Sequence, residues 1–282
     1  MNSDQNQHII PQTYLKQFGY KDKHGRWRVP VFNIEQIPLM NNINKTLVKQ
    51  SNIKSLLREQ NIYDLSGTIE NKKHLDNTFK ILEDCYPLII NEINETKRIS
   101  IESKQKLITF ISFLFVRTYD FRGIADHLLK SRNRDYLEAI IEDNKDRINT
   151  LLSLPVEKAI NFLIGFSGFY ISKVLSQFEI TIIETIETEK WATTDNPVLV
   201  QCKATGNIID FLGIDTELLC PISQDYLVFI FHPNSTFSQN ELRKLHTNEV
   251  NKISIGLYES IWYKLVDKSR VTKYIIVPSM NK

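Results

Sequence analysis

NFLIGFSGFYISKVLSQFEITIIETIE, residues Asn161 to Glu187, changes its structural period part-way through. Up to about Gln177 it is a long apolar stretch, which Pro155 is placed to open as a helix. After Phe178 the run Glu179–Glu187 is β-branched and bounded by polar residues, the pattern of a strand. Helices are expected before this point and strands after it.

Working back from it, Leu75, Phe79, Leu82, Tyr86, Ile89, Ile90 and Ile93 repeat at three and four residues. That spacing predicts a helix over about 69–97, with a kink at Pro87. Ser100 suits the N-cap of the next helix, about 101–119. Further helices are expected at about 121–131 and 134–150. At the front, residues 1–10 read as extended, and Pro11 opens a short helix whose face is Tyr14, Leu15 and Phe18, ended by Gly19. Arg26–Asn33 reads as a strand, placed at a sheet edge because of Pro30, and 34–52 as irregular. Working forward, WATTDNPVLVQ is a turn feeding a strand, and Leu218–Phe231 is a strand, a turn and a strand. Ser238 is expected to cap a long helix to about Val266, and Lys273–Pro278 is a last strand. The expected class is α+β. A central helical bundle (67–177) packs on a small C-terminal β-sheet (178–282), with an N-terminal segment (1–66) docked on the core. No linker composition separates the parts, so one domain is expected.

Lys and Arg total 35 against 33 Asp and Glu, so no global field marks a nucleic-acid partner. The three cysteines, Cys85, Cys202 and Cys220, are widely spaced and fit reduced structural thiols rather than a disulfide framework or zinc site. MNSDQNQH lacks an apolar signal-peptide core. The apolar runs Ile108–Val116 and Asn161–Leu175 fall short of the roughly 20 residues a membrane span needs. A cytoplasmic protein without membrane contact is expected.

The chemistry concentrates in WATTDNP, Trp191 to Pro197, where two hydroxyls, a carboxylate and a carboxamide stand in four residues. Asn196 precedes proline and is pushed into extended geometry. Asp195 on such a turn can be a base, a metal ligand or a clamp, or bond only its own turn. His8 precedes a helix start, whose positive end would lower its pKa and favour a neutral imidazole. Arg117 ends an apolar helix face and needs an anion, either an internal carboxylate or a substrate phosphate. Arg122, Lys130, Arg132 and Arg134 form a modest basic cluster. Phosphate-loop, dinucleotide, zincin and nucleophile-elbow motifs do not occur in the sequence.

Taken in order, these stretches resemble an uncharacterised family, domain of unknown function 4238. The resemblance rests on His8, Pro11, Tyr14, Leu15 and Phe18 in a His-x-x-Pro-x-x-Tyr-Leu-x-x-Phe start, and on Arg117 at the end of an apolar central helix. It continues with Thr193, Thr194, Asp195, Asn196 and Pro197 after Trp191, with Thr194 where serine is commoner. Pro221, Ile222 and Ser223 follow, then Asn248 or Asn251 and Tyr258. The resemblance spans nearly the whole chain and carries no activity with it.

Three functions remain. The first is a hydrolase, nuclease-like or phosphodiesterase-like, acting on a nucleotide or nucleic acid. In it His8, Asp195, Asn196 and Arg117 do the chemistry and Tyr14, Trp191, Thr193 and Thr194 contact substrate. The second is a nucleotide- or partner-binding module without turnover. In the third the motifs only lock the N-terminus to the core. No cofactor, metal or oligomeric state is assigned from the sequence. His8 and Asp195 are expected to be neighbours in space.

Overall fold

The structure, a computed structural model, describes residues 6–36, 48–60, 62–63, 74–131, 134–141, 145–186, 189–202, 213–235, 241–267 and 271–277. β1 (Asn6–His8) leads into α1 (Gln12–Leu15), and a 3-10 turn, Lys16–Phe18, completes the short helical segment. β2 (Tyr20–Lys21), β3 (Trp27–Asn33), β4 (Lys49–Asn52) and β5 (Arg58–Gln60) follow. The helical region is α2 (His74–Thr96), α3 (Ile101–Val116), α4 (Tyr119–Ser131), α5 (Arg134–Ile140), α6 (Lys145–Ser153) and α7 (Val156–Leu175). The expected start of α2 near 69 lies outside the described residues. Ser100 caps α3 as expected, its side chain accepting the N–H of Ser103.

The strand region holds β6 (Glu179–Glu184), β7 (Thr193–Thr194), β8 (Leu199–Gln201), β9 (Glu217–Pro221), β10 (Tyr226–Phe231), β11 (Val250–Asn251), α8 (Ile255–Val266) and β12 (Tyr274–Ile276). One five-stranded sheet has the order β11-β6-β10-β9-β8. A second runs β2-β3-β12-β7, with β4 on β3, and β1 pairs β5 apart from both.

Both faces of the first sheet are covered, which is why β10, YLVFIF, is apolar throughout rather than alternating. Val228 and Ile230 point to the helical bundle, joining Ile180 and Ile182 of β6. Leu227, Phe229 and Phe231 point the other way, to Trp191, Phe32, Ile275 and α8 residues Tyr258, Ile261 and Leu265.

The structure corrects four expectations. The one helix expected over 134–150 is two, α5 and α6, with a turn at Ile141 after the first. β3 is no edge strand: it pairs with β4 on one side and with β2 and β12 on the other. Pro30 is tolerated because its carbonyl accepts the N–H of Val277, just past the last paired residue of β12, so the donor it lacks falls where that ladder stops. The 34–52 region is not wholly irregular, since it supplies β4. Ser238 lies outside the described residues, and the long helix expected to run from it to Val266 is broken. A 3-10 turn at Glu241–Lys244 and β11 precede α8, whose N-cap is Ser254. Asn251 forces the break: its side chain takes the N–H of His246 and donates to the carbonyls of His246 and Glu249, and Asn248 sits at φ 58°. The N-terminal segment is therefore more than docked, because β3 forms a sheet with the last strand of the chain.

α3 and α7 pack closely, and Gly168 of α7 allows it. A Cβ on Gly168 would come to 2.4 Å from the ring of Phe113. That ring is held edge-on by Phe79 and Phe169, at centroid distances of 5.6 and 5.0 Å, and cannot swing away. Gly168→Ala is expected to destabilise the fold by about 1–3 kcal/mol, read as a lower midpoint in denaturant unfolding; an unchanged midpoint would mean the two helices sit further apart than described.

Candidate functional site

The candidate residues fall into two buried knots at either end of the N-terminal segment. The first is built on Arg117, which follows the last turn of α3 and is 4% exposed. Its Nη1 lies 3.0 Å from Glu83 Oε1, Nε donates to the Tyr63 hydroxyl at 3.3 Å, and Nη2 donates to the His8 carbonyl. The guanidinium also stands over the rings of Phe79 and Tyr63, 4.3 and 5.2 Å from their centroids. Its anion is the internal carboxylate of Glu83.

His8 is half-buried beside it. Nε2 lies 3.2 Å from the Lys54 carbonyl, which can only accept, so Nε2 carries the proton. Nδ1 then accepts from the Gln12 amide at 3.4 Å. Burial lowers the pKa of His8, aided by Arg117 and Arg58 and opposed by the Lys54 carbonyl and Glu83. The shift runs in the direction expected from the sequence, but burial rather than a helix dipole is its main cause, α1 being only four residues long.

The second knot is built on Tyr14, fully buried. Its one proton goes to the Pro221 carbonyl at 2.7 Å, so the Thr193 hydroxyl, 2.6 Å away, donates to it. Tyr86 stacks on Phe110 and donates to the next carbonyl, that of Ile222. Trp191 is fully buried against Tyr258, ring centroids 4.6 Å apart, and its backbone N–H donates to the Gln224 carbonyl. The Gln224 N–H in turn bonds the carbonyl of Gln17, behind α1.

From this knot the turn runs on to the last strand. Thr194 Oγ1 accepts the N–H of Asn196. Asp195, 1% exposed, accepts three backbone N–H groups, those of Thr272, Lys273 and Tyr274, at 3.1, 2.5 and 3.2 Å. The Asn196 amide donates to Asp120 Oδ2 at 2.5 Å, and the Thr272 hydroxyl to Asp120 Oδ1 at 3.1 Å.

The two motifs do meet, but through Tyr14 and Thr193. The expected contact of His8 with Asp195 is not made: Asp195 is engaged by the entry to β12, and His8 by Lys54 and Gln12. Sequence reading missed Glu83, Tyr86 and Asp120. Glu83 left a trace, a carboxylate interrupting the apolar stripe Phe79–Glu83–Tyr86 of α2. Asp120 stands three residues after Arg117, so one corner of the bundle serves both knots. Of the basic cluster, Arg122 bonds the Ile62 carbonyl and Asn161, and Lys130 pairs with Asp126. The side chains of Arg132 and Arg134 lie outside the described residues. Among the described residues no group of three or more His, Cys, Asp or Glu side chains is placed to hold a metal ion. No helix among them is long and apolar enough to cross a membrane.

Burial pushes the Asp195 carboxyl up to about 6, opposed by the N–H groups of Tyr274, Lys273 and Thr272. A carboxyl whose folded pKa lies above its unfolded value, about 3.9, holds its proton more tightly when folded. Its contribution to stability is fullest below the unfolded value and is lost as pH rises through about 6. Asp195→Asn is expected to unfold about 1–3 kcal/mol more easily than wild type at pH values near 4, with the gap narrowing as the pH rises to 7. Chemical denaturation of both proteins across that range measures it; a gap that widens with pH would show that the three N–H donors outweigh burial.

With this geometry in place, the comparisons can be set beside it. No curated protein and no solved structure matches the chain. One family model does, described as protein of unknown function (DUF4238), and it covers residues 6–257, from β1 to the first turn of α8. It takes in His8, Tyr14, Arg117 and Trp191–Asn196 but stops before Tyr258 and Thr272–Tyr274, and the chain belongs to this family.

Proposed function

We propose that the chain is a non-catalytic binding module whose motif residues fasten its N-terminus and its last strand to the core. The observation that supports this is that the candidate catalytic side chains already have partners inside the chain. A general base needs a lone pair within reach of the proton it takes, yet Nδ1 of His8 accepts from Gln12 and Nε2 is protonated toward Lys54. An anion clamp needs open donors, yet Arg117 donates to Glu83, Tyr63 and the His8 carbonyl. Asp195 lies against three backbone N–H groups, out of reach of solvent. A cytoplasmic setting fits three cysteines free of disulfides.

The hydrolytic reading keeps one observation in its favour. His8, its pKa lowered by burial, is only half-buried, and the corner that carries Arg117 also presents Asp120, exposed, hydrogen-bonded to Asn196. A nucleotide or nucleic acid would meet the protein there, with His8 as the acid–base group.

Nuclease, phosphodiesterase and nucleotidase assays on wild type, His8→Ala and Asn196→Ala, with thermal and chemical unfolding of the same proteins and of Arg117→Met, separate the two. The module reading expects no turnover in any of them and a loss of about 2–4 kcal/mol in Arg117→Met, whose removal leaves Glu83 without its cation. Wild-type turnover abolished by His8→Ala at an unchanged unfolding midpoint would overturn it in favour of the hydrolase.

A further inference from the structure

The near balance of charge over the whole chain conceals a division. Residues 1–60 carry nine Lys and Arg against four Asp and Glu, and the rest of the chain carries 26 against 29. The topology gathers the N-terminal excess at one end of the sheet formed by β2, β3 and β4. β2 leaves that sheet at Lys21 and β3 enters it at Trp27, with Tyr20 and Lys21 opposite Arg28 and Trp27. On the other side of β3, β4 ends with Asn52 opposite Arg28. The chain then passes Lys54, whose carbonyl accepts from His8 Nε2, and reaches Arg58, which is paired with His8 of β1.

The β2–β3 loop is tied from inside by Asp22. Its Oδ1 accepts the N–H groups of His24 and Arg26, each at 2.9 Å, and its Oδ2 lies 3.1 Å from Nε of both Arg26 and Arg28. Gly25 makes the turn at φ 72°. One carboxylate therefore serves two arginines, and each of them spends only Nε on it.

Six cations, Lys21, Lys23, Arg26, Arg28, Lys54 and Arg58, thus meet two carboxylates, Asp22 and Glu59. Glu59 accepts from the Tyr119 hydroxyl, Glu35 lies past the far end of β3, and Glu83, which acts on His8 from α2, is paired with Arg117. Lys21, Lys23, Lys54 and Arg58 are exposed, and among the described residues no carboxylate forms an ion pair with them.

We infer that this end of the sheet docks on the phosphate backbone of a nucleic acid without reading its bases. Lysines and forked guanidinium groups clustered on one surface are the chemistry that neutralises successive phosphates. Trp27 offers no open face for a base, being packed on the core with Lys21 Nζ 5.6 Å over its ring. A lipid surface fits less well, because none of the large apolar side chains exposed on the described residues falls within 6–60, and nothing there enters a bilayer. A protein partner fits less well too, since protein interfaces are poor in lysine. The inference stands apart from the two knots, whose candidate side chains it does not use.

The test is fluorescence anisotropy of the full chain with a labelled mixed-sequence DNA duplex, titrated between about 50 and 200 mM salt. Wild type is expected to bind at micromolar concentration at the low-salt end, whatever the base sequence, with a log–log salt slope of about −3 to −4. Lys21→Gln, Lys23→Gln and Lys54→Gln together are expected to weaken binding at least about tenfold and to take about 2–3 units off the slope. Lys244→Gln, Lys252→Gln and Lys264→Gln together remove the same charge from exposed positions in the β11–α8 region and are expected to leave binding unchanged. No binding at low salt, a slope near zero, unchanged affinity in the first triple variant or equal loss in both would each overturn the inference. So would vesicles containing phosphatidylserine bound as tightly as the duplex. Turnover lost in His8→Ala while this binding persists removes the module reading and leaves the nucleic-acid surface.

Discussion

The Tyr14 hydroxyl is the constraint on which the arrangement turns. A phenol sealed from water must find both an acceptor for its proton and, to be fully satisfied, a donor for its oxygen. Tyr14 finds them in the Pro221 carbonyl and the Thr193 hydroxyl. Those three groups come from α1, from the end of β9 and from β7, separated by up to 207 positions in the chain. Removing any one strands the others in an apolar site, so none of the three elements can shift alone. Tyr86 repeats the device one residue further on, binding the Ile222 carbonyl from α2. The turn between β9 and β10 is thus held by two tyrosines from two different helices.

The Arg117 knot does the complementary task at the other end of the N-terminal segment. A buried guanidinium costs several kcal/mol to desolvate, and pairing with Glu83 offsets part of that cost rather than exceeding it. What the arrangement secures is register. Only when β1 is in place does the His8 carbonyl reach Nη2, and only then are all the donor nitrogens of Arg117 supplied. A one-residue slip of β1 against β5 would withdraw that carbonyl and leave a buried donor open. Asp195 applies the same logic to the far end of the chain, where one carboxylate fixes three successive N–H groups at the entry to β12.

How much of this was legible in the sequence follows from the range of the interactions. The helices and the strand at Glu179 were legible because their periods are local, and Ser100 because a cap bonds three residues away. The grouping of the motifs was legible too, since the short Tyr14–Leu15–Phe18 face had to be buried against something. Their wiring was not. Asp195 answers to Thr272–Tyr274 and Arg117 to Glu83, partners that no local pattern names. The helix forecast through 245–254 failed for a different reason. Its apolar spacing continued across Val250 and Ile253, but Asn251 offered the backbone better side-chain partners than a helix would, and Val250 and Asn251 could add to the open edge of β6.

The residue types that make a stretch look catalytic are those that fasten distant segments together. A carboxylate, an imidazole or a guanidinium is costly to bury unpaired and directional when paired, which suits it equally to orienting a substrate and to orienting a strand. Burial and engagement separate the two uses. At the knots the polar atoms point inward and are met by backbone groups of this same chain.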